Sequence, residues 1–377
     1  MNRIGRLREL GQSLWLDDLG RGMIESGELA RLRDLGVTGI TSNPTIFQKS
    51  VAGSNDYDEA IRELVSAGRT PAEVLWDLMI DDVQHAADVF RPVHQQTDGG
   101  DGLVSIEVPP DVAGDTDRSI AMARELRERC NRPNVMVKIP GTRAGLPAIE
   151  AMLAEGANIN VTLLFSTERY AEVVDAFMNG LEAFGERGGR LESVHSVASF
   201  FVSRVDTKVD ALLDERLQGA TGDDADALRE LRGAIGIANS KVAYSIYRER
   251  HAGVRWESLA RAGARPQRCL WASTSVKDPH YADTKYVESL VGPETIDTLP
   301  SQTLRAFNEH GRVERTLDRD LAAAVADLER LRSIGIDLDR VTDELEAEGV
   351  DAFARSYRSL QDTLTRAADQ VKEGVRA

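Results

Sequence analysis

Strand-length apolar runs recur along this chain, and most are followed by helical spacing. The runs fall at residues 14–18, 36–41, 103–107, 135–139, 158–165, 194–201, 269–273 and 295–298. Alternating strands and helices imply parallel strands joined by crossover helices. Eight such units predict an α/β fold, a closed (β/α)8 TIM barrel, and 377 residues suit the upper end of its size range. Helices are expected at 26–35, 117–129 and 167–184, the second capped by Thr116 or Asp117 and the third by Ser166 or Thr167. Longer connections hold helical pattern at 54–67 and 71–90, then at 202–217 and 225–250. An extra helix is expected over residues 1–12. Helical pattern returns at 302–309, 318–334 and 352–372. No linker interrupts the sequence, so one domain is expected over 1–377, with a barrel core at about 14–300 and a helical extension at about 301–377. That extension is either a cover for the barrel or an interface for a homodimer.

Within the fourth run one residue breaks the pattern. Alternation places Val135, Val137 and Ile139 on one face and Met136 and Lys138 on the other. A lysine in an otherwise apolar strand is costly unless it is paired or loses its proton. A neutral, desolvated amine attacks carbonyl carbon and forms a Schiff base. The bland alternative is a strand-end lysine that reaches solvent along its stem.

Chemistry in such barrels sits at the C-terminal ends of the strands, so polar residues there carry the argument. In the third run Ser105 and Glu107 lie opposite Val104 and Ile106. In the fifth, Asn158, Asn160 and Thr162 lie opposite Ile159, Val161 and Leu163. In the seventh, Trp271, Ser273 and Ser275 lie opposite Leu270, Ala272 and Thr274. Asp17, Asn43, Glu107, Lys138, Asn160, Thr162, Ser199 and Ser273 are therefore expected at one mouth. Singly each has a structural reading, as a helix cap or a turn. Around one lysine, the set points to carbon–carbon bond chemistry. Lys138 would form an iminium, and Asp17 or Glu107 would move the hydroxyl proton. Arg204 follows the sixth strand, and Ser273, Ser275 and Lys277 follow the seventh; barrels often bind phosphate near the loops after strands seven and eight.

Composition narrows the partners. Lys+Arg 46 against Asp+Glu 62 gives a net charge of -16, which argues against nucleic acid or an anionic membrane. No signal core and no membrane-length apolar run is visible. Only Cys130 and Cys269 are present, which suits a reducing cytoplasm. The six histidines are scattered, with no metal-binding spacing, and no glycine-rich nucleotide loop is visible, so no metal or organic cofactor is expected.

Seven segments together resemble the transaldolase family. They are Leu14-Trp-Leu-Asp-Asp18, Thr41-Ser-Asn-Pro44, Ser105-Ile-Glu-Val108, Val137-Lys-Ile-Pro140, Asn158-Ile-Asn-Val-Thr-Leu-Leu-Phe-Ser166, Ser199-Phe-Phe-Val-Ser-Arg204 and Trp271-Ala-Ser273. The resemblance implies a cofactor-free class I aldolase barrel of the pentose phosphate pathway. Such an enzyme moves a dihydroxyacetone unit from sedoheptulose 7-phosphate to glyceraldehyde 3-phosphate, giving erythrose 4-phosphate and fructose 6-phosphate. It implies Lys138 as the Schiff-base lysine, Asp17 as the acid/base of bond cleavage, and Glu107 with Thr162 as holders of a water. Asn43, Asn160 and Ser199 would bind the dihydroxyacetone hydroxyls, with Thr41 lining the pocket. Arg204 and Ser273 would bind phosphate. Many relatives carry an arginine where this chain has Ser275, and Lys277 is the candidate replacement. A fructose-6-phosphate aldolase-like lyase and a non-catalytic sugar-phosphate-binding barrel remain the alternatives.

Overall fold

A computed structural model describes residues 2–42 and 44–375. Its centre is a closed barrel of eight parallel strands in chain order. They are β1 (Gln12–Leu16), β2 (Gly39–Ile40), β3 (Val104–Glu107), β4 (Val135–Pro140), β5 (Ile159–Leu164), β6 (Ser196–Phe201), β7 (Arg268–Ala272) and β8 (Thr295–Leu299). The ring closes where β1 pairs with β8, from Gln12 opposite Thr295 to Leu16 opposite Leu299. The (β/α)8 expectation therefore holds. No described helix is long and apolar enough to cross a membrane.

Two apolar layers stabilise this ring. Outward residues such as Val137, Ile139, Val161 and Trp271 pack under the surrounding helices. Trp15, Leu103, Met136, Val197, Leu270 and Ile296 fill the barrel itself. Below them the floor is polar. Trp15 Nε1 donates to Asp101 Oδ1 at 2.7 Å, and Arg268 donates to Ser13 Oγ at 3.0 Å and to the Gly100 carbonyl at 2.8 Å. Trp15 fits because its partner in register is Gly39, where an added Cβ would lie 2.6 Å from the indole ring.

Several local expectations change. The seventh strand faces the other way: Leu270 and Ala272 fill the barrel, and Trp271 packs outside. Ser273 still reaches the mouth because its φ of 55° turns the chain at the strand end. In β5 the alternation breaks after Thr162. Leu163 takes φ 58°, the register to β6 shifts between Val161 and Leu164, and Leu163 joins the barrel interior. Left-handed backbone at a leucine is strained, and such strain gathers at functional sites.

Helix boundaries shift where caps and glycines decide them. The helix expected at 26–35 is Glu28–Leu35, and an unexpected helix, Arg21–Glu25, precedes it, separated at Gly27 with φ 73°. Asp115, rather than Thr116 or Asp117, caps the helix Thr116–Cys130 through Arg118 N, while Ser166 caps Thr167–Glu186 as expected. Residues 54–67 give Asp58–Ser66, and an unexpected helix, Pro44–Gly53, precedes it. Residues 225–250 divide into Asp223–Leu231 and Ile235–Arg250 around Gly233.

The largest difference is the tail. One helix, Leu338–Val375, replaces the shorter stretch expected at 352–372. Gly349 disguised its first half, because glycine is a poor helix former. Here that glycine is wanted: an added Cβ would lie 2.9 Å from Leu163 Cδ2. Lys208 holds the helix through Glu344 at 2.8 Å and Glu348 at 2.5 Å. Leu360, Leu364 and Ala368 pack farther along with Phe47, Val51 and Leu75. The helix thus crosses the mouth from the segment after β6 to the segment after β2.

Gly39→Ala tests the barrel filling. Its methyl meets the Trp15 ring, so we expect a loss of about 1–3 kcal/mol of stability from overpacking. Urea unfolding midpoints of the two proteins measure it.

Candidate active site

The mouth of the barrel opens into a cavity of about 300 Å³. Lys138 projects into it from β4, and the side chain is only 5% exposed. Glu107 sits beside it because β3 and β4 pair with Glu107 opposite Lys138. Glu107 Oε2 lies 3.0 Å from Lys138 Nζ, and Nζ also donates to the Ser42 carbonyl at 3.3 Å. The other Glu107 oxygen, Oε1, has no hydrogen-bond partner among the described residues. The buried Thr162 hydroxyl, also on the cavity wall, lacks one as well. Burial pushes the Glu107 carboxyl above the usual carboxylate range, and the Lys138 charge works against that rise.

Asp17 stands just beyond β1 on the same cavity wall. Its Oδ1 accepts from Thr41 Oγ1 at 2.8 Å, and Thr41 Oγ1 lies 2.7 Å from Thr298 Oγ1. Its neighbour Asp18 is committed elsewhere, accepting from Ser301 N at 2.5 Å at the start of the helix Ser301–His310. Asn160 is wholly buried and forms a chain through the barrel: its Nδ2 donates to Ser105 Oγ at 3.0 Å, and its Oδ1 accepts from Ser199 Oγ at 2.7 Å. Ser199 lines the cavity, while Asn160 sits behind it and orients it.

The opposite side of the cavity is cationic. Arg204 lies near the start of the helix Ser203–Leu217, with its guanidinium 5.3 Å from the Phe201 ring centroid. Burial works against the Arg204 charge, and the carboxylates of Asp17, Glu107 and Glu348 offset that cost. Ser273, Ser275 and Lys277 complete this wall. Ser273 Oγ lies 3.0 Å from Ser203 Oγ, and Lys277 Nζ donates to Ser275 Oγ at 2.5 Å. The segment carrying Lys277 is tied down. Tyr281 OH donates to Asp210 Oδ2 at 2.8 Å, Arg232 pairs with Asp278 at 3.4 Å, and Gly236 N donates to Asp206 Oδ1 at 2.5 Å beside these groups.

Asp17, Thr41, Lys138, Thr162, Ser199, Arg204, Ser273, Ser275 and Lys277 therefore share one cavity, with Glu107 and Asn160 directly behind its wall. Asn43 lies outside the described residues. Sequence reasoning omitted Thr298 and Phe353. The alternation in β8 pointed to Thr298. No local pattern points to Phe353, which enters the cavity from the distant C-terminal helix. The arrangement supplies a buried amine, a carboxyl beside it, and a second carboxylate and two cationic side chains lining the same cavity. Those groups suit a phosphorylated carbonyl compound.

Comparison with known proteins agrees with this chemistry. The sequence profile of the family described as Transaldolase/Fructose-6-phosphate aldolase matches residues 14–364. The chain is 47% identical over 363 residues to a protein named transaldolase from Thermobifida fusca, covering 96% of this chain and 97% of the relative. A transaldolase from Saccharopolyspora erythraea is 47% identical over 368 residues, covering 97% and 98%. One from Trichodesmium erythraeum is 42% identical over 367 residues, covering 96% and 97%.

The carboxyl nearest the cationic wall's support has a testable titration. Burial pushes Asp206 up from 3.8 to about 6, against the Gly236 amide that donates to it. A raised carboxyl stabilises the fold fully below about 3.8, and that contribution is lost as pH rises through about 6. The shift corresponds to about 3 kcal/mol. Between pH 4 and pH 8 the stability difference should therefore move in favour of Asp206→Asn by about that amount, measured by denaturant titration at each pH.

Proposed function

The chain belongs to the transaldolase/fructose-6-phosphate aldolase family, and we propose that it acts as a transaldolase through a Schiff base on Lys138. Lys138 Nζ attacks the ketone carbon of sedoheptulose 7-phosphate. Water leaves and an iminium forms. Asp17 takes the proton of the C4 hydroxyl, the C3–C4 bond breaks, and its electrons move into the iminium. Erythrose 4-phosphate departs, and a dihydroxyacetone enamine stays on Lys138. The enamine carbon then attacks the aldehyde of glyceraldehyde 3-phosphate, and Asp17 returns its proton to the new hydroxyl. Water releases fructose 6-phosphate and restores the amine.

The observation that carries this reading is the buried Lys138–Glu107 pair at 3.0 Å. Lys138 must give up a proton before it attacks. Glu107, held above the usual carboxylate range by burial, is suited to take it. The unpartnered oxygens of Glu107 and Thr162 support the assignment of a water to that corner during imine formation and hydrolysis. Ser199, oriented by Asn160, is suited to a dihydroxyacetone hydroxyl, and Arg204, Ser273, Ser275 and Lys277 to the phosphate. Two buried free cysteines support a reducing cytoplasm as its home.

Borohydride with fructose 6-phosphate should add mass to the peptide holding Lys138, and Lys138→Ala should lose transfer to the detection limit. Mass on another lysine, or turnover retained in the variant, would sink the assignment. Charge-assisted contacts are worth about 1.5–3 kcal/mol. Arg204→Gln should therefore lower kcat/KM for glyceraldehyde 3-phosphate by roughly ten- to a hundredfold, with a much smaller loss for unphosphorylated glyceraldehyde. Lys277→Ala should share that selectivity if Lys277 supplies the second phosphate charge. Equal losses with both acceptors would remove these residues from phosphate binding.

A further inference from the structure

One stage of the transfer reaction is exposed to water. After cleavage, the enamine on Lys138 has two fates. It can attack an aldehyde and complete a transfer. Alternatively, its carbon takes a proton and the iminium returns. Water then adds to the iminium carbon, the C–N bond breaks, and dihydroxyacetone leaves with the Lys138 amine restored. The second route consumes one water and makes the protein a lyase. Water reaching the enamine therefore decides which enzyme this is.

Phe353 stands over that point. It is the cavity-lining residue contributed by the C-terminal helix, it is 6% exposed, and its ring centroid lies 5.9 Å from Lys138 Nζ. It packs in one cluster with Leu163, Phe165, Phe201 and Ala272, so the mouth above the lysine has an apolar rim. The approach is built in. Gly349, one helical turn earlier, lets the helix come close to Leu163, and the left-handed backbone at Leu163 turns that side chain into the barrel. Ion pairs from Lys208 and apolar packing of Leu360 and Leu364 hold the helix on either side of the mouth.

We propose that Phe353 is the roof of the Schiff-base site and sets the partition between transfer and hydrolysis. This rests on the Schiff-base reading above. The test uses the full-length protein with fructose 6-phosphate as donor. Released dihydroxyacetone is followed without acceptor, and transfer is followed with erythrose 4-phosphate. Phe353→Ala should raise dihydroxyacetone release relative to transfer by about tenfold or more, while borohydride still labels Lys138. Phe353→Leu, which restores apolar bulk, should behave close to the parent. Arg355→Ala, at an exposed position of the same helix, should leave the partition near that of the parent. If Phe353→Ala fails to fold, Phe353→Val carries the same expectation at smaller size. An unchanged partition in the folded variant would overturn the proposal, as would an equal leak from Arg355→Ala. A parent that neither labels at Lys138 nor transfers would instead overturn the function from which this inference starts.

Discussion

Burying Lys138 and Glu107 side by side is the constraint around which this barrel is arranged. Each side chain is 5% exposed or less, and two charges taken out of water cost several kcal/mol each unless they meet. They meet at 3.0 Å because parallel pairing puts Glu107 opposite Lys138. Yet the pair is not fully satisfied: Glu107 Oε1 has no hydrogen-bond partner among the described residues. The neighbouring Asn160, Ser105 and Ser199 are by contrast linked to one another.

The barrel can carry that cost because its two ends are different. The floor is closed by Trp15, Met136 and Leu270 and by the Asp101 and Arg268 hydrogen bonds. At the other end Leu163 and Ser273 take left-handed φ at or near the ends of their strands. Each strained residue re-aims a side chain that simple alternation would send outward. Stability drawn from the floor is what allows the mouth to keep such geometry.

This division also explains what could be read from the sequence. Period-two alternation identified all eight strands, and it aimed Glu107, Lys138, Asn160 and Ser199 correctly because those strands are regular there. It failed for the seventh strand, where an apolar interior and an apolar exterior look alike: Leu270 faces in and Trp271 faces out. Ser273 was placed at the mouth for the wrong reason, since its turn and not its parity brings it there. Phe353 was illegible for another reason. Its role depends on where a helix from the far end of the chain comes to rest, and that docking is held by Lys208, Gly349 and Leu360, which carry no local signal for it.

The same helix settles a puzzle of charge. A chain with a net charge of -16 must still receive phosphorylated sugars. Its cavity carries a small cationic wall, Arg204 with Lys277, to which the proposed function assigns the phosphate. The carboxylates nearest that wall are Asp17 and Glu107 beneath it and Glu348 above it, and they compensate the buried Arg204. Glu348 is also paired to Lys208, so part of its charge is already spent. The Arg204 guanidinium is therefore balanced at once by carboxylates of the barrel and by one from the C-terminal helix. The residue that helps hold the roof in place also belongs to the electrostatic balance of the site beneath it.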